Sequence, residues 1–468
     1  MGAAEAIHTN DYRDSLSISG SHGGRIRIFP KQIIGPLYKW RMFVAYVLIG
    51  MLFIGPFLEF DGHPLFLFNV LERKFILFGV PFWPQDLHLF ALGLLTFMVF
   101  IVLFTVVFGR IWCGWACPQT IFLEMIFRKI ENWIEGDFRK QQKFEQQPWN
   151  ANKILRKGLK HLIFITISFA VANTFLAYII GKNELFKIIT DNPVDHLAGL
   201  FAIGVFTLAF YFVFAKFREL VCIIVCPYGR LQGVFLDKKT VVVAYDYKRG
   251  EPRGHIKKDE IRTSGDCVDC HLCVDVCPTG IDIRNGTQLE CVNCTACMDA
   301  CDDVMHKVNK PLNLIRYDSI DGIEKGTRKI VNTRTIAYSV VLLILIAIEI
   351  TLLSTRNNVE TTVLRTPGMM FQKTAGQKIT NLYNYEIVNK TFKSFPAQIR
   401  AVNLDAKIKF VGNNELNVPA NDIVKGAFFI ELSENAIRTY KTELELEVVS
   451  NNKVIDRLKT NFIGPVTQ

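Results

Sequence analysis

Cys267-Val-Asp-Cys270-His-Leu-Cys273-Val-Asp-Val-Cys277-Pro278, and shortly after it Cys291-Val-Asn-Cys294-Thr-Ala-Cys297-Met-Asp-Ala-Cys301, form the stretch on which the reading of this chain turns. The pattern is C-x2-C-x2-C-x3-C, written twice. A close triplet wraps three thiolates around one face of an iron–sulfur cube, and the fourth cysteine of each run reaches the other cluster. Cys267, Cys270, Cys273 and Cys301 are therefore expected to hold one [4Fe–4S] cluster, and Cys291, Cys294, Cys297 and Cys277 the other. Paired zinc sites compete poorly: zinc ribbons use two C-x2-C pairs about 15–20 residues apart and have no use for a third cysteine so close. Cys277 is followed by Pro278 but Cys301 by Asp302, so the second run departs from the usual ending. Asp266, Asp269, Asp275, Asp282, Asp299, Asp302 and Asp303 crowd the region, and negative charge lowers a cluster's reduction potential. His271 and His306 flank the cysteines and are expected only to donate hydrogen bonds, because every ligand is already supplied.

All twelve cysteines fall between Cys113 and Cys301 at short, regular spacings, which means metal rather than disulfides. The four outside the double run sit in matching places, in Trp112-Cys113-Gly-Trp-Ala-Cys117-Pro118 and Val221-Cys222-Ile-Ile-Val-Cys226-Pro227. Each pair is C-x3-C-P. On a helix, positions i and i+4 share a face, so Cys113 with Cys117, and Cys222 with Cys226, are expected to converge on a four-sulfur redox or metal site. Soft thiolates suit Cu(I), zinc or an additional iron–sulfur cluster. The bland alternative is that they pack as small hydrophobes.

Around these motifs lie long apolar runs in a chain of 468 residues, half of them hydrophobic, with a net charge of +10. The basic residues flank the apolar runs, as membrane topology requires, which argues against a nucleic-acid partner. Five runs are long enough to cross about 30 Å of hydrocarbon: residues 41–60, 87–109, 159–180, 197–217 and 335–354. The segment after the second run carries Arg128, Lys129, Arg139, Lys140, Lys143, Lys153, Arg156, Lys157 and Lys160. The loops after the first and third carry only Arg73 and Lys74, and Lys182 and Lys187. By the positive-inside rule the N-terminus and the basic segments are cytoplasmic and the C-terminal tail lies outside. Met1 to Pro30 has no signal-peptide pattern, so the first span is expected to target the chain.

The expected organisation is a cytoplasmic segment over 1–40; four membrane helices over 41–217 with a cytoplasmic loop over 110–158; a cytoplasmic ferredoxin-like domain over 218–334; a fifth membrane helix over 335–354; and a β domain over 355–468. Within the loop, 127–147 reads as one basic amphipathic helix on the membrane lipid, with Phe127, Ile130, Trp133 and Ile134 at helical spacing. In the outer loop 61–86, Phe75-Ile76-Leu77-Phe78 is too short to cross and reads as a strand or an interfacial segment. The tail alternates polar and apolar residues at 443–448, with further strands expected over 383–388, 407–411 and 427–432 and a turn at Gly412-Asn413-Asn414, suggesting a small β-sandwich. Glu349, inside the last span, is either a proton or cation site or a snorkelling carboxylate. Met369-Met370 is expected to be ordinary packing rather than a Cu(I) contact.

The order of parts resembles the CcoG/FixG/RdxA family, cytochrome c oxidase accessory proteins of bacteria. The matching residues are Phe82-Trp83-Pro84-Gln85-Asp86, Trp112-Cys113-Gly114-Trp115-Ala116-Cys117-Pro118-Gln119-Thr120, Arg218-Glu219 with Cys222, Cys226-Pro227-Tyr228-Gly229-Arg230-Leu231-Gln232, and Cys277-Pro278-Thr279-Gly280-Ile281-Asp282-Ile283-Arg284. The tail adds Tyr385-Glu-Ile-Val-Asn389-Lys390-Thr391 and Phe462-Ile463-Gly464-Pro465. The resemblance implies a multi-pass protein of the bacterial inner membrane, with two [4Fe–4S] clusters and an immunoglobulin-like domain in the periplasm. It further implies a cupric reductase that reduces Cu(II) to Cu(I) for assembly of cbb3-type oxidase. The implied partners are copper ions, copper chaperones or an exporter, oxidase assembly factors and an electron donor. Two other functions stay open: a relay from quinol or a soluble donor, like the NapH and NosR membrane ferredoxins, and a non-catalytic assembly scaffold.

Overall fold

The computed structural model describes residues 27–60, 62–70, 74–255, 264–326, 331–368, 371–374, 378–412, 416–437 and 439–465. Residues 1–26, Arg73, Asn413, Asn414 and Met369-Met370 lie outside the described residues. Five helices are long and apolar enough to cross a membrane: Pro36–Phe57, Pro84–Phe108, Ala151–Ile180, Leu197–Phe217 and Thr333–Ser354. The first three begin earlier than their apolar runs, because start signals rather than hydropathy set a helix's first turn. Prolines open the first two, at the position where the ring's fixed φ suits a helix. Asn150 caps the third, accepting from the Lys153 backbone N–H, so a basic turn precedes the apolar part.

Two compact units divide the chain: residues up to Phe57 with Leu92–Ala347, and Leu58–Ala91 with Ile348–Gln468. In the first, Phe122, Phe127, Phe164 and Phe214 share one core. Phe127 stacks on Phe214 at 4.5 Å between ring centroids and meets Phe164 edge-on at 4.7 Å. That corrects the expectation of a single surface helix over 127–147. The segment is a π-turn Leu123–Phe127, a helix Arg128–Glu135 and, after Gly136 at φ +94°, a second helix Phe138–Gln146. A single turn reversal at Gly136 breaks the amphipathic period, and Phe127 faces the protein core while Trp133 stays exposed.

The double cysteine run lies between antiparallel strands Val242–Tyr245 and Ile315–Asp318, with short helix Leu272–Asp275 and longer helix Ala296–Lys307. Val243, Tyr245, Met298, Met305, Leu314 and Ile315 form its core. It is tied to the end of the second span through Val241 N–H to Val107 O at 3.1 Å and Thr240 Oγ1 to Val106 O at 2.9 Å. It also caps the first span: Gly35 has no capping side chain, and Asp299 accepts from the backbone N–H groups of Leu37 and Tyr38 at 3.2 and 2.8 Å.

In the second unit, Lys74–Leu77 is the middle strand of three, between Phe66–Asn69 and Val80–Phe82. Phe75-Ile76-Leu77 is thus a strand, ended by a turn at Phe78. The C-terminal residues form two packed antiparallel sheets. One runs Lys407–Phe410, Ile423–Ser433, Lys378–Asn389, Val359–Arg365, with Gln372–Thr374 also against Lys378–Asn389. The other runs Leu416–Val418, Phe395–Ala401, Lys441–Ser450, Lys453–Ile463. Tyr383, Ile387, Phe428, Ile430, Leu446 and Phe462 fill the space between them. Asp86 of the Phe82–Asp86 motif pairs within this unit with Arg356 at 2.6 Å and Lys390 at 2.7 Å.

Candidate metal centres

The two cysteine triplets adopt one backbone shape. Asp269 and His271 have φ of +53° and +56°, and their counterparts Asn293 and Thr295 have +52° and +65°. Left-handed residues two positions apart give each loop the tight backbone turns from which anion-binding concavities are built. Asp and Asn tolerate this region, but for β-branched Thr295 it is a strained conformation, of the kind that collects at functional sites. The loops open on two adjoining cavities. Cys267, Cys270, Cys273 and Cys301 line one; Cys277, Cys291, Cys294 and Cys297 line the other, which Cys273 also borders. The donor set therefore fits a pair of four-thiolate clusters. Burial, then neighbouring groups including Cys273 and Asp302, pushes the Cys301 thiol up to about 12. Metal binding has to displace protons from such thiols. His271 lines the first cavity beside the cysteines, and its Nδ1 accepts from Arg284 Nη2 at 2.9 Å rather than donating as expected; His306 is exposed at a helix end.

Neither C-x3-C-P pair sits on one continuous helix. Cys113 lies in the short helix Ile111–Trp115, and Cys117 is extended (ψ 124°) before the helix Pro118–Phe122. Cys222 lies in the π-turn Val221–Val225, and Cys226 is extended (ψ 111°) before the helix Pro227–Phe235. A residue before proline is disfavoured in the α region, so each C-P step ends one helix and starts the next. The two turns nevertheless lie side by side: Cys113 Sγ and Arg110 both bond Gln232 of the helix that follows Cys226, and Gly229 of that helix lies against the Cys222 carbonyl. Burial pushes the Cys222 thiol up to about 12, and Cys117, Cys113 and Cys226 are near enough to add to the effect. Among the described residues no three His, Cys, Asp or Glu side chains gather tightly enough to hold a single metal ion. The four thiols are neighbours without being a ready-made one-ion site.

This membrane-edge group abuts the second cavity, called inner below. A Cβ on Gly114 would fall 2.4 Å from the Val292 carbonyl oxygen, so the Cys113–Cys117 turn lies directly on the Cys291–Cys294 loop. Arg41 of the first span donates through Nε to the Gly114 carbonyl at 2.7 Å. Arg110 donates to Gln232 Oε1 at 2.6 Å and Gly229 O at 2.7 Å, and the same Gln232 oxygen accepts from Cys113 Sγ at 3.4 Å. Sequence reasoning missed Arg41, Arg110, Gly114 and Gln232 as participants. Their signal was positional: each lies in or beside a cysteine motif or at the mouth of a span.

A buried charge network supports the same face. Arg218, at φ +52°, pairs with Glu131 at 2.8 Å; Lys160 pairs with Glu135 at 2.6 Å; Arg128 pairs with Glu124 and reaches the Pro278 carbonyl at 3.1 Å. Burial alone would raise the Glu131 carboxyl, but Arg218 and Lys160 overcome it and hold it down at about 2. Arg128 thus connects the network to the turn after Cys277.

Family profiles match three segments: the 4Fe-4S dicluster domain over 217–320, a 4Fe-4S binding domain over 90–141, and the IG-like fold at the C-terminus of FixG over 350–465. With five apolar helices and these matches, the chain is a membrane-associated iron–sulfur protein with an immunoglobulin-like domain, an architecture suited to electron transfer. It is 31% identical to RdxB of Cereibacter sphaeroides over 458 residues, covering 92% of this chain and 94% of that protein. RdxA of the same organism is 34% identical over 68% of this chain and 69% of its own length. The nitrogen fixation protein FixG of Rhizobium meliloti is 37% identical over 63% and 58%. The chain belongs to the FixG/RdxA family. A crystal structure of a FixG-related protein from Vibrio parahaemolyticus matches 23% of this chain and 97% of its own, at 14% identity and a TM-score of 0.20.

Proposed function

We propose that this protein carries electrons through two [4Fe–4S] clusters to its membrane-edge cysteines, where Cu(II) is reduced to Cu(I) for assembly of a cbb3-type oxidase. Cys267, Cys270, Cys273 and Cys301 hold the outer cluster, and Cys277, Cys291, Cys294 and Cys297 the inner. When bound, the clusters supply one-electron storage with little movement of the irons. The contact of Gly114 with the Val292–Asn293 backbone carries the reading, because it leaves one turn of chain between the inner cavity and Cys113. The substrate step is one electron added to one Cu(II) ion. Soft thiolates favour the product, Cu(I), which a pair of sulfurs can hand on. By charge asymmetry of the loops, the cysteines face the cytoplasm of a bacterial inner membrane and the β domain the periplasm.

A second reading is favoured by the 4Fe-4S binding profile over 90–141, which takes in Cys113 and Cys117. Here Cys113, Cys117, Cys222 and Cys226 hold a third cluster, whose wider sulfur spacing suits a group that offers no one-ion site. A single experiment separates the readings. Full-length protein and a variant with those four cysteines replaced by serine are reduced, assayed for iron and mixed with Cu(II), following cluster reoxidation and Cu(I) trapped by a chelator. The copper reading expects equal iron in both proteins and Cu(I) formed only by the unsubstituted one. Loss of a third of the iron in the variant supports the third cluster. Clusters that stay reduced with Cu(II) but, once oxidised, are reduced by quinol favour a relay; clusters inert to both favour a scaffold.

A further inference from the structure

We infer that Arg41 and Arg110 are built-in counter-charges of the inner cysteine cavity, positioning residues that make it the more easily reduced of the two centres. The inference rests on the proposed pair of clusters. Both side chains are almost wholly buried, 4% and 5% exposed. Their hydrogen bonds go to neutral acceptors, the carbonyls of Gly114 and Gly229 and the amide of Gln232. Arg41 Nη2 is buried with no acceptor, and among the described residues no carboxylate pairs with either guanidinium. A buried cation without a counter-ion is strongly disfavoured, so the fold has to supply negative charge nearby.

Glu124 lines the same cavity as Arg41 but is paired with Arg128, and the other anionic groups within reach are the cysteine sulfurs. Gly114, to whose carbonyl Arg41 is bonded, lies against the Val292–Asn293 backbone of the loop that ends in Cys294. Arg110 meets Cys113 through the shared Gln232 oxygen, and its neighbour Gly109 lies against Asn293, whose Oδ1 accepts from Cys291 Sγ at 3.5 Å. Thiolates ligating a cluster are the anions that would compensate both cations. The outer cavity has the opposite balance. Its guanidinium, Arg284, is shared between Asp282 at 2.6 Å and Asp269, leaving one carboxylate in excess. Positive surroundings stabilise the reduced, more negative state of a cluster, and negative surroundings oppose it. The inner centre therefore sits downhill for an electron arriving at the outer one, on the side next to the membrane-edge cysteines.

The test is a redox titration of full-length protein in lipid nanodiscs, followed by electron paramagnetic resonance, for the unsubstituted chain and for Arg41→Gln, Arg110→Gln and Arg284→Gln, with iron measured in each. Arg41→Gln and Arg110→Gln should each lower the higher of the two midpoint potentials and leave the lower one in place, while Arg284→Gln should move only the lower one. Arg41→Lys and Arg110→Lys keep the charge and should stay near the unsubstituted value; they also carry the test if a glutamine variant loses iron. Unchanged potentials in the glutamine variants at full iron loading would overturn the inference, as would a shift confined to the lower potential or an equal shift in the lysine variants. Iron for fewer than two clusters in the unsubstituted protein would instead sink the cluster reading itself.

Discussion

Glu131 shows how a single residue binds this membrane face together. Its carboxylate meets Arg218 at 2.8 Å, Arg27 at 3.1 Å and Lys160 at 3.7 Å while almost fully buried. Being held at about 2 against an ordinary 4.5, it contributes stability that is fully present above 4.5 and lost as the pH falls toward 2. Glu131→Gln removes the carboxylate that Arg218 and Lys160 share, leaving Lys160 to Glu135 at 2.6 Å and Arg218 to Glu219 at 3.6 Å, and should destabilise the unit by about 2 kcal/mol, the size of a lost charge-assisted hydrogen bond. Melting in detergent at several pH values checks this: the variant should melt lower at neutral pH, and its deficit should shrink toward pH 2. A constant deficit would mean the side chain acts through shape alone. Gly114 gives a second residue-scale prediction. Alanine there places a methyl 2.4 Å from the Val292 oxygen, so one loop has to move. Iron content should hold while electron transfer from the clusters to Cu(II) slows by about tenfold, an effect about 1.4 kcal/mol in size, readable by stopped-flow absorbance.

At the scale of elements, the matching C-x3-C-P spacing of the two outlying cysteine pairs was legible and the helix break inside each pair was not. Spacing alone put Cys113 with Cys117 on one helical face, yet Pro118 and Pro227 were in the sequence and are the reason both helices break there. The backbone equivalence of Asp269-x-His271 and Asn293-x-Thr295 was equally readable in part, since Asx residues between ligands announce left-handed turns. Asp299 was not. As one of seven nearby acids it looked like a tuner of potential, but its two oxygens are taken up by the first N–H groups of the first span, a partner more than two hundred and fifty positions away. Asp299→Ala should cost about 1 kcal/mol, the usual worth of a lost N-terminal cap, and loosen the cluster domain's hold on that helix. Hydrogen exchange should report faster labelling at residues 36–39, with Asp299→Asn, which keeps an acceptor oxygen, falling between.

Across the whole molecule, hydropathy and period-two alternation exposed the spans and the sandwich, because both are local signals. What tied the Phe82–Asp86 motif to its unit was hidden, since Arg356 and Lys390 lie far along the chain. That separation yields the largest-scale prediction. The sandwich core draws every buried residue from Val359 to Phe462, so a fragment spanning 357–465 should fold alone, with a cooperative thermal transition, β-type circular dichroism and no iron. It keeps Glu360 beside Lys390, at 2.8 Å, as a remaining counter-charge. In the full chain, Asp86→Ala strips one carboxylate from two cations, of which Lys390 is 3% exposed at the side chain; it should destabilise this unit by about 3 kcal/mol and leave iron content unchanged. Differential scanning calorimetry on both proteins decides the matter. A fragment that unfolds without cooperativity would make residues 58–91 an integral part of the sandwich, and loss of iron in Asp86→Ala would show that the two units are not thermodynamically separate.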